Sequence, residues 1–242
     1  MIQEEANRLV EQILPYEREV FLWLNGSNNI FWDSFMWIYS NKFTWIPLAI
    51  VAFAVFVYKI KWQKALLFII CTALVFTLCD QISASVIKPL FERYRPTHHP
   101  DFSYAVNIVN DYRGGRYGFI SAHAANGFGI AMFLSLIFRY TRLAVTVFTW
   151  ASITAYSRVY LGVHFISDVV GGMVVGLIIG YLVYLIYQYG RLKILKHPRE
   201  ELELSPYSKL RANILCATIA VIVITIFIIS LVNFMYGSRW LY

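Results

Sequence analysis

Charge is what this chain has least of. Lys, Arg, Asp and Glu make up 14% of its 242 residues, where an ordinary soluble domain carries about 25%. Together with 59% hydrophobic residues and a mean hydropathy of +0.57, that scarcity excludes an ordinary soluble domain and marks a membrane protein. Cysteine is scarce too. Cys71, Cys79 and Cys216 have no metal-type or disulfide-framework spacing, and all fall in apolar runs where thiols pack as small hydrophobes. No basic segment followed by a small-residue cleavage site opens the chain, so no removable signal peptide is expected.

Long apolar runs are what the chain has instead. Crossing a hydrocarbon core of about 30 Å takes about 20 helical residues. Runs of that kind cover residues 45–58, 65–87, 119–138, 143–156, 165–187 and 213–234. The first and fourth are short and must borrow flanking residues or tilt. Upstream, residues 4–24 mix acids with apolar side chains at helical spacing. Residues 28–40 are aromatic but interrupted by Asn28, Asn29 and Asp33, and both segments read as helices lying at the interface. The fold class that follows is all-α, a polytopic transmembrane bundle of five to six spans with N-terminal interfacial helices. Its units are interfacial helices in 1–41, a catalytic bundle in 42–190, a basic cytoplasmic loop in 191–211 and a C-terminal transmembrane helix in 212–242.

The formal charge of +7 is not a nucleic-acid signal, because the basic residues are gathered in loops. Lys59, Lys61 and Lys64 sit in one loop and Arg139 and Arg142 in another. A third holds Arg191, Lys193, Lys196, Arg199, Lys209 and Arg211. If every run spans, these loops share one face, which the positive-inside rule makes cytoplasmic. Residues 88–118 and 157–164 then lie on the opposite face. Nucleic acid is excluded as a partner, and the lipid bilayer is the partner that composition demands.

Ionisable groups at a membrane cost several kcal/mol unless paired or solvated, which makes each a functional suspect. "KPLFERYRP", residues 88–96, crowds Lys88, Arg93 and Arg95 before a helix-stopping proline. Snorkelling at the interface explains that cluster equally well. "GFISAHAANG", residues 118–127, offers Ser121 as an N-cap and the following amides, at Ala122 and His123, as an anion site. On its own it is as readily a capping serine beside an interfacial histidine. "SRVYLGVHFISD", residues 157–168, places His164 and Asp168 one helical turn apart. A carboxylate there fixes the imidazole tautomer and frees the other nitrogen as a nucleophile, or simply makes a buried hydrogen bond. Taken together on one side, the three clusters fit phosphoryl transfer, where charge develops on oxygens and the protein must position and neutralise.

At these residues the sequence resembles the type 2 phosphatidic acid phosphatase superfamily, which includes the vanadium haloperoxidases. The first family motif, Lys-x6-Arg-Pro, reads Lys88 to Arg95 and Pro96, and the third, Ser-Arg-x5-His-x3-Asp, reads Ser157, Arg158, His164 and Asp168. The middle motif, Pro-Ser-Gly-His, keeps Ser121 and His123 but has Ile120 for the proline and Ala122 for the glycine. The resemblance implies that His164 attacks phosphorus to form a phosphohistidine, oriented by Asp168, while His123 is the general acid. It implies that Lys88, Arg95 and Arg158, with the Ser121 hydroxyl and the Ala122 amide, hold the phosphate. It also implies a metal-independent hydrolase that needs no metal or cofactor.

The substrate implied is a membrane lipid phosphate or pyrophosphate. Among those used by relatives, undecaprenyl pyrophosphate and lipid A phosphate are favoured here, because Arg113 and Arg116 in "DYRGGRYGF" suit a bulky or multiply phosphorylated head group. Interfacial anchoring is the other reading of those two arginines. A non-hydrolytic lipid-phosphate binding or transport protein is the competing function, although the charges gather at one face instead of lining the midplane. "THHPD", residues 97–101, is expected to be a loop or recognition element and not a metal site. Asp80 is expected to support packing, and Gly172, Gly176 and Gly180, spaced by four, to permit close helix approach.

Overall fold

The computed structural model describes residues 2–25 and 29–237. Asn28, where the aromatic segment begins, and residues 238–242 of the C-terminal unit lie outside the described residues. The described residues form helices joined by turns, with one isolated bridge between Tyr94 and Tyr117.

Two amphipathic helices come first, α1 (Ile2–Glu11) and α2 (Leu14–Asn25). The buried face of α2 is Glu17, Phe21 and Asn25, a spacing of four that puts an acid on the inward stripe. α3 (Ile30–Ser40) starts where the Asn29 side chain accepts from the amides of Phe31 and Trp32. α3, expected at the interface, packs against the helices Thr141–Tyr160 and Lys209–Met235. Its Phe35, Met36 and Tyr39 are buried with Tyr160, Leu161 and Ile226, and Tyr160 donates to Asp33 at 2.8 Å. Of the polar interruptions, Asp33 thus meets a partner on a neighbouring helix, while Asn29 caps its own. Through a short turn α3 continues into α4 (Ile46–Val57), and the two segments meet at 64°.

α5 (Trp62–Gln81) runs through a π-helical turn at Ile82–Ile87 into α6 (Lys88–Phe91). Together they make one apolar helix, Trp62–Phe91. It is followed by a long irregular stretch and then by α7 (Ala122–Phe138), α8 (Thr141–Tyr160) and α9 (Ile166–Lys193). The short α10 (Arg199–Leu202) precedes α11 (Lys209–Met235). Trp62–Phe91, α9 and α11 are long and apolar enough to cross a membrane, and the bent α3–α4 pair passes the same test as a fourth. α7 is shorter at 17 residues, about 25 Å of rise. It lies at the centre of the bundle, with Ala124, Ala125, Gly127 and Ala131 buried, so its neighbours and not its own length meet the lipid. α8 carries Thr, Ser, Tyr and Arg side chains, and its buried Ser157 and Arg158 face the bundle.

The α7–α9 seam is where the glycine stripe acts. A Cβ at Gly172, Gly176 or Gly180 would stand 2.4, 2.3 and 2.4 Å from the carbonyl oxygens of Ser121, Ala125 and Gly129. The two backbones therefore touch, as small residues in lipid allow. Asp80 finds its partner across the α5–α7 contact, accepting from Asn126 Nδ2 at 2.8 Å.

Helix direction sorts the ends of the bundle. α6 and α8 finish, and α7 and α9 begin, at one end, with residues 92–121 folded over it. The basic loops gather at the other. There Arg211 bonds the carbonyls of Val55 and Tyr58, and Arg139 bonds the Glu203 carbonyl and the Tyr184 hydroxyl.

Candidate active site

The turn from α8 to α9 brings the third motif together. Gly162, at φ +72°, occupies a left-handed position that a side chain would also crowd, its Cβ falling 2.6 Å from Val106 Cγ1. The chain then doubles back, so that Val163 and His164 both bond the Arg158 carbonyl, at 3.1 and 3.3 Å. Asp168, the third residue of α9, reaches back to accept from the Phe165 amide at 3.0 Å, as an N3 acid does in a capping box. This fixes the carboxylate under the imidazole, and His164 Nδ1 lies 3.3 Å from Asp168 Oδ2. Both side chains are buried.

The other imidazole nitrogen faces a cation. Arg95 Nη1 lies 3.2 Å from His164 Nε2 and also donates to the Val163 carbonyl at 3.1 Å. A guanidinium can only donate, so the hydrogen-bond network assigns the lone pair to Nε2 and the proton to Nδ1. Burial first, then Arg95, Arg158 and Lys88, push the imidazole well below its ordinary value, which keeps it neutral. A neutral ring with its lone pair among cations is the state a nucleophile requires.

Arg158 is almost fully buried, bonded to the Ser40 hydroxyl and to Tyr112 OH at 3.4 Å, with its Nε carrying no partner. Lys88, half-buried at the end of Trp62–Phe91, is within electrostatic reach of Arg95, Arg158 and Asp168. Ser121 caps α7, accepting from the Ala124 amide at 3.4 Å, and its own amide donates to the Asp168 carbonyl at 2.9 Å. The starts of α7 and α9 are thus pinned to each other despite Ile120 and Ala122 in the middle motif. His123 is on the exposed face of α7, within electrostatic reach of Arg158, His164, Arg95 and Lys88. Three cations, a helix start, a neutral imidazole with its carboxylate and a second imidazole therefore meet at one end of the bundle.

Other sequence-selected residues fall elsewhere. Arg113 and Arg116 are exposed. Arg113 bonds the Thr97 carbonyl at 3.2 Å, while Arg116 bonds Tyr94 OH at 2.7 Å and lies over the Tyr94 and Tyr117 rings. In the 97–101 loop, His99 turns toward Glu11 of α1, 3.3 Å away. Arg93, grouped by sequence with the cations of the first motif, turns instead into three carboxylates, those of Asp168, Glu17 and Glu11.

Four contributors escaped sequence reading, namely Glu17, Gly118, Ser40 and Tyr112. Glu17 had a signal, since it is an acid on an apolar helical stripe. Ser40 and Tyr112 had none, because chain folding alone brings them to Arg158.

The PAP2 superfamily model matches residues 64–192, a span holding all three motif segments. A lipid A 4'-phosphatase of Porphyromonas gingivalis is 46% identical over 183 residues, covering 75% of this chain and 77% of that protein. Another, from Bacteroides thetaiotaomicron, is 37% identical over 180 residues, covering 74% and 80%. The fold is similar to that of the crystal structure of a PAP2-type phosphatidylglycerolphosphate phosphatase from Bacillus subtilis, with TM-score 0.55 and 20% identity over 81% of this chain and 94% of that one. The chain belongs to the PAP2 superfamily, as an integral membrane phosphatase.

Proposed function

We propose that the protein removes a phosphate from a lipid A-type glycolipid through a phosphohistidine on His164. The observation that carries the mechanism is the His164 imidazole, hydrogen-bonded at Nδ1 by Asp168 and facing Arg95 with Nε2. Nε2 attacks phosphorus while the bond to the lipid oxygen breaks, and His123 gives that oxygen its proton. Asp168 balances the charge that forms on the imidazole. Lys88, Arg95 and Arg158 take the charge on the phosphoryl oxygens, with the unpartnered Nε of Arg158 and the Ala122 amide as further donors. Water then cleaves the P–N bond, releases phosphate and restores the imidazole.

The substrate assignment is supported by the two relatives named as lipid A 4'-phosphatases. Exposed Arg113 and Arg116 beside the first motif suit a large, multiply charged head group. The site lies at the end of the bundle opposite the basic loops, which supports a catalytic face on the non-cytoplasmic side of an inner cell membrane.

The test is phosphate release by purified protein from lipid A, undecaprenyl pyrophosphate, phosphatidate and phosphatidylglycerol phosphate. Lipid A is expected to react with the highest kcat/KM, in the presence of chelator and with inhibition by vanadate. His164→Ala is expected to lower the rate by about a thousandfold or more. Full activity in that variant overturns the mechanism, and preference for undecaprenyl pyrophosphate overturns the substrate assignment alone.

A further inference from the structure

The N-terminal helices lie outside the residues matched by the family, yet they reach the catalytic pair. Glu17 of α2 is nearly fully buried, and both of its oxygens are used. Oε1 accepts from Arg93 Nη2 at 2.6 Å and from the Ser167 hydroxyl at 2.8 Å, and Oε2 accepts from the Ser167 amide at 2.8 Å. Arg93, with no exposed surface, spans from Glu17 to Asp168, donating through Nη1 to Asp168 Oδ1 at 2.9 Å and to Ser167 Oγ at 2.6 Å. Its guanidinium rests 4.5 Å from the Phe165 ring centroid. α1 holds the same segment from the other side, where Asn7 bonds the Phe91 carbonyl at 2.8 Å.

From these contacts we infer that Glu17 is a positioning residue for catalysis, acting through Arg93 on the Asp168–His164 pair. Arg93 occupies the Asp168 oxygen that His164 does not use, so the carboxylate cannot rotate away from the imidazole without breaking an ion pair. Without Glu17, only the more distant Glu11, 3.6 Å from Nε, would share the buried guanidinium with Asp168, and the arginine would draw more of the Asp168 charge off the imidazole. Glu17 supplies the carboxylate nearest to the guanidinium, at 2.6 Å, and leaves more of the Asp168 charge for the ring as the phosphohistidine forms. Its bond to the Ser167 amide also satisfies a free N–H in the first turn of α9, which fixes the helix start that carries Asp168.

The inference rests on His164 as the nucleophile, and the experiment separates the two. In the full-length protein, Glu17→Gln keeps the size and removes the charge. The expected result is a fall in kcat of about tenfold or more, with KM changed less than about threefold, because the residue is remote from the substrate. Glu17→Asp is expected to recover most of that loss. In an Arg93→Gln background, Glu17→Gln is expected to have little further effect, whereas a purely structural helix-capping role would add its full effect there. If Glu17→Gln does not fold, Arg93→Lys takes its place, because an ammonium keeps the charge but cannot bridge both carboxylates. Wild-type kcat in the folded variant used, or an undiminished second loss in the Arg93→Gln background, overturns the inference. If His164→Ala is inactive in the same assays, the proposed function stands regardless.

Discussion

Gly118 sits where the site has no room for a side chain. Its Cβ would stand 2.8 Å from Asp168 Oδ2 and 3.2 Å from Arg95 Cγ. Gly118→Ala should push the carboxylate from under the imidazole and lower kcat by about ten- to a hundredfold, with the protein still folded by thermal unfolding in detergent. An unchanged kcat would show that the carboxylate has slack. His164 makes a second residue-scale prediction, through pH. Its imidazole resists protonation in the folded protein, but in the unfolded chain it takes a proton near about pH 6.5. Below that pH the unfolded state binds the extra proton, so stability falls as pH falls. His164→Asn removes this contribution, and its melting temperature should decline less steeply than the wild type between about pH 7 and 5. Parallel curves would contradict the buried neutral ring. Motif residues such as Lys88, Arg95, His164 and Asp168 were legible because their chemistry is unusual in an apolar setting. Arg93 looked the same in sequence as Arg95, and only its neighbours distinguish an ion-pair arginine from one facing His164.

At the scale of elements, the seam between α7 and α9 sets the geometry of the mouth. Ser121 and Asp168 begin the two helices and are joined by a backbone hydrogen bond, so any spreading of the seam moves the helix start away from the histidine. Gly176→Ala would place a methyl 2.3 Å from the Ala125 carbonyl oxygen, against backbone that cannot rotate aside. The expected cost is about 1–3 kcal/mol of stability, outweighing alanine's better helix propensity, and should appear as a lower melting temperature with lower activity. Gly115→Ala is the control, because nothing lies within 4 Å of its added Cβ. A Gly176→Ala protein as stable as the wild type would mean that the seam is looser than these contacts imply. The glycine spacing showed a close approach in advance, but not which helix would be the partner. α3 illustrates the opposite case. Its polar interruptions suggested an interface, and its packing partners, Tyr160 and Trp150 of α8, lie far along the chain.

At the scale of the whole molecule, the apolar surface is a belt and the charge is polarised. Ile50, Phe53, Ile70, Val174, Ile178, Leu182 and Ile224 are exposed along the long helices, as lipid-facing positions should be. Lys88, Arg95 and Arg158 gather at one end and the basic loops at the other. The proposed orientation is tested by labelling with a membrane-impermeant maleimide in a background where Cys71, Cys79 and Cys216 are replaced. Arg116→Cys should label in intact cells, and Lys196→Cys only after the membrane is opened. The reverse pattern would place the catalytic end in the cytoplasm.

Composition alone determined that this chain lives in a bilayer, since hydrocarbon demands long apolar helices whatever their packing. The spacing of Lys88 to Pro96 and of Ser157 to Asp168 marked the candidate site, since so many ionisable groups in an apolar chain call for a role. Only the tertiary structure decided which arginine meets His164, because Arg93 and Arg95 differ in direction and not in kind. It alone brought Glu17 to Ser167, beside Asp168, across 150 residues of sequence, since local spacing carries no record of contacts that exist only when separate helices pack.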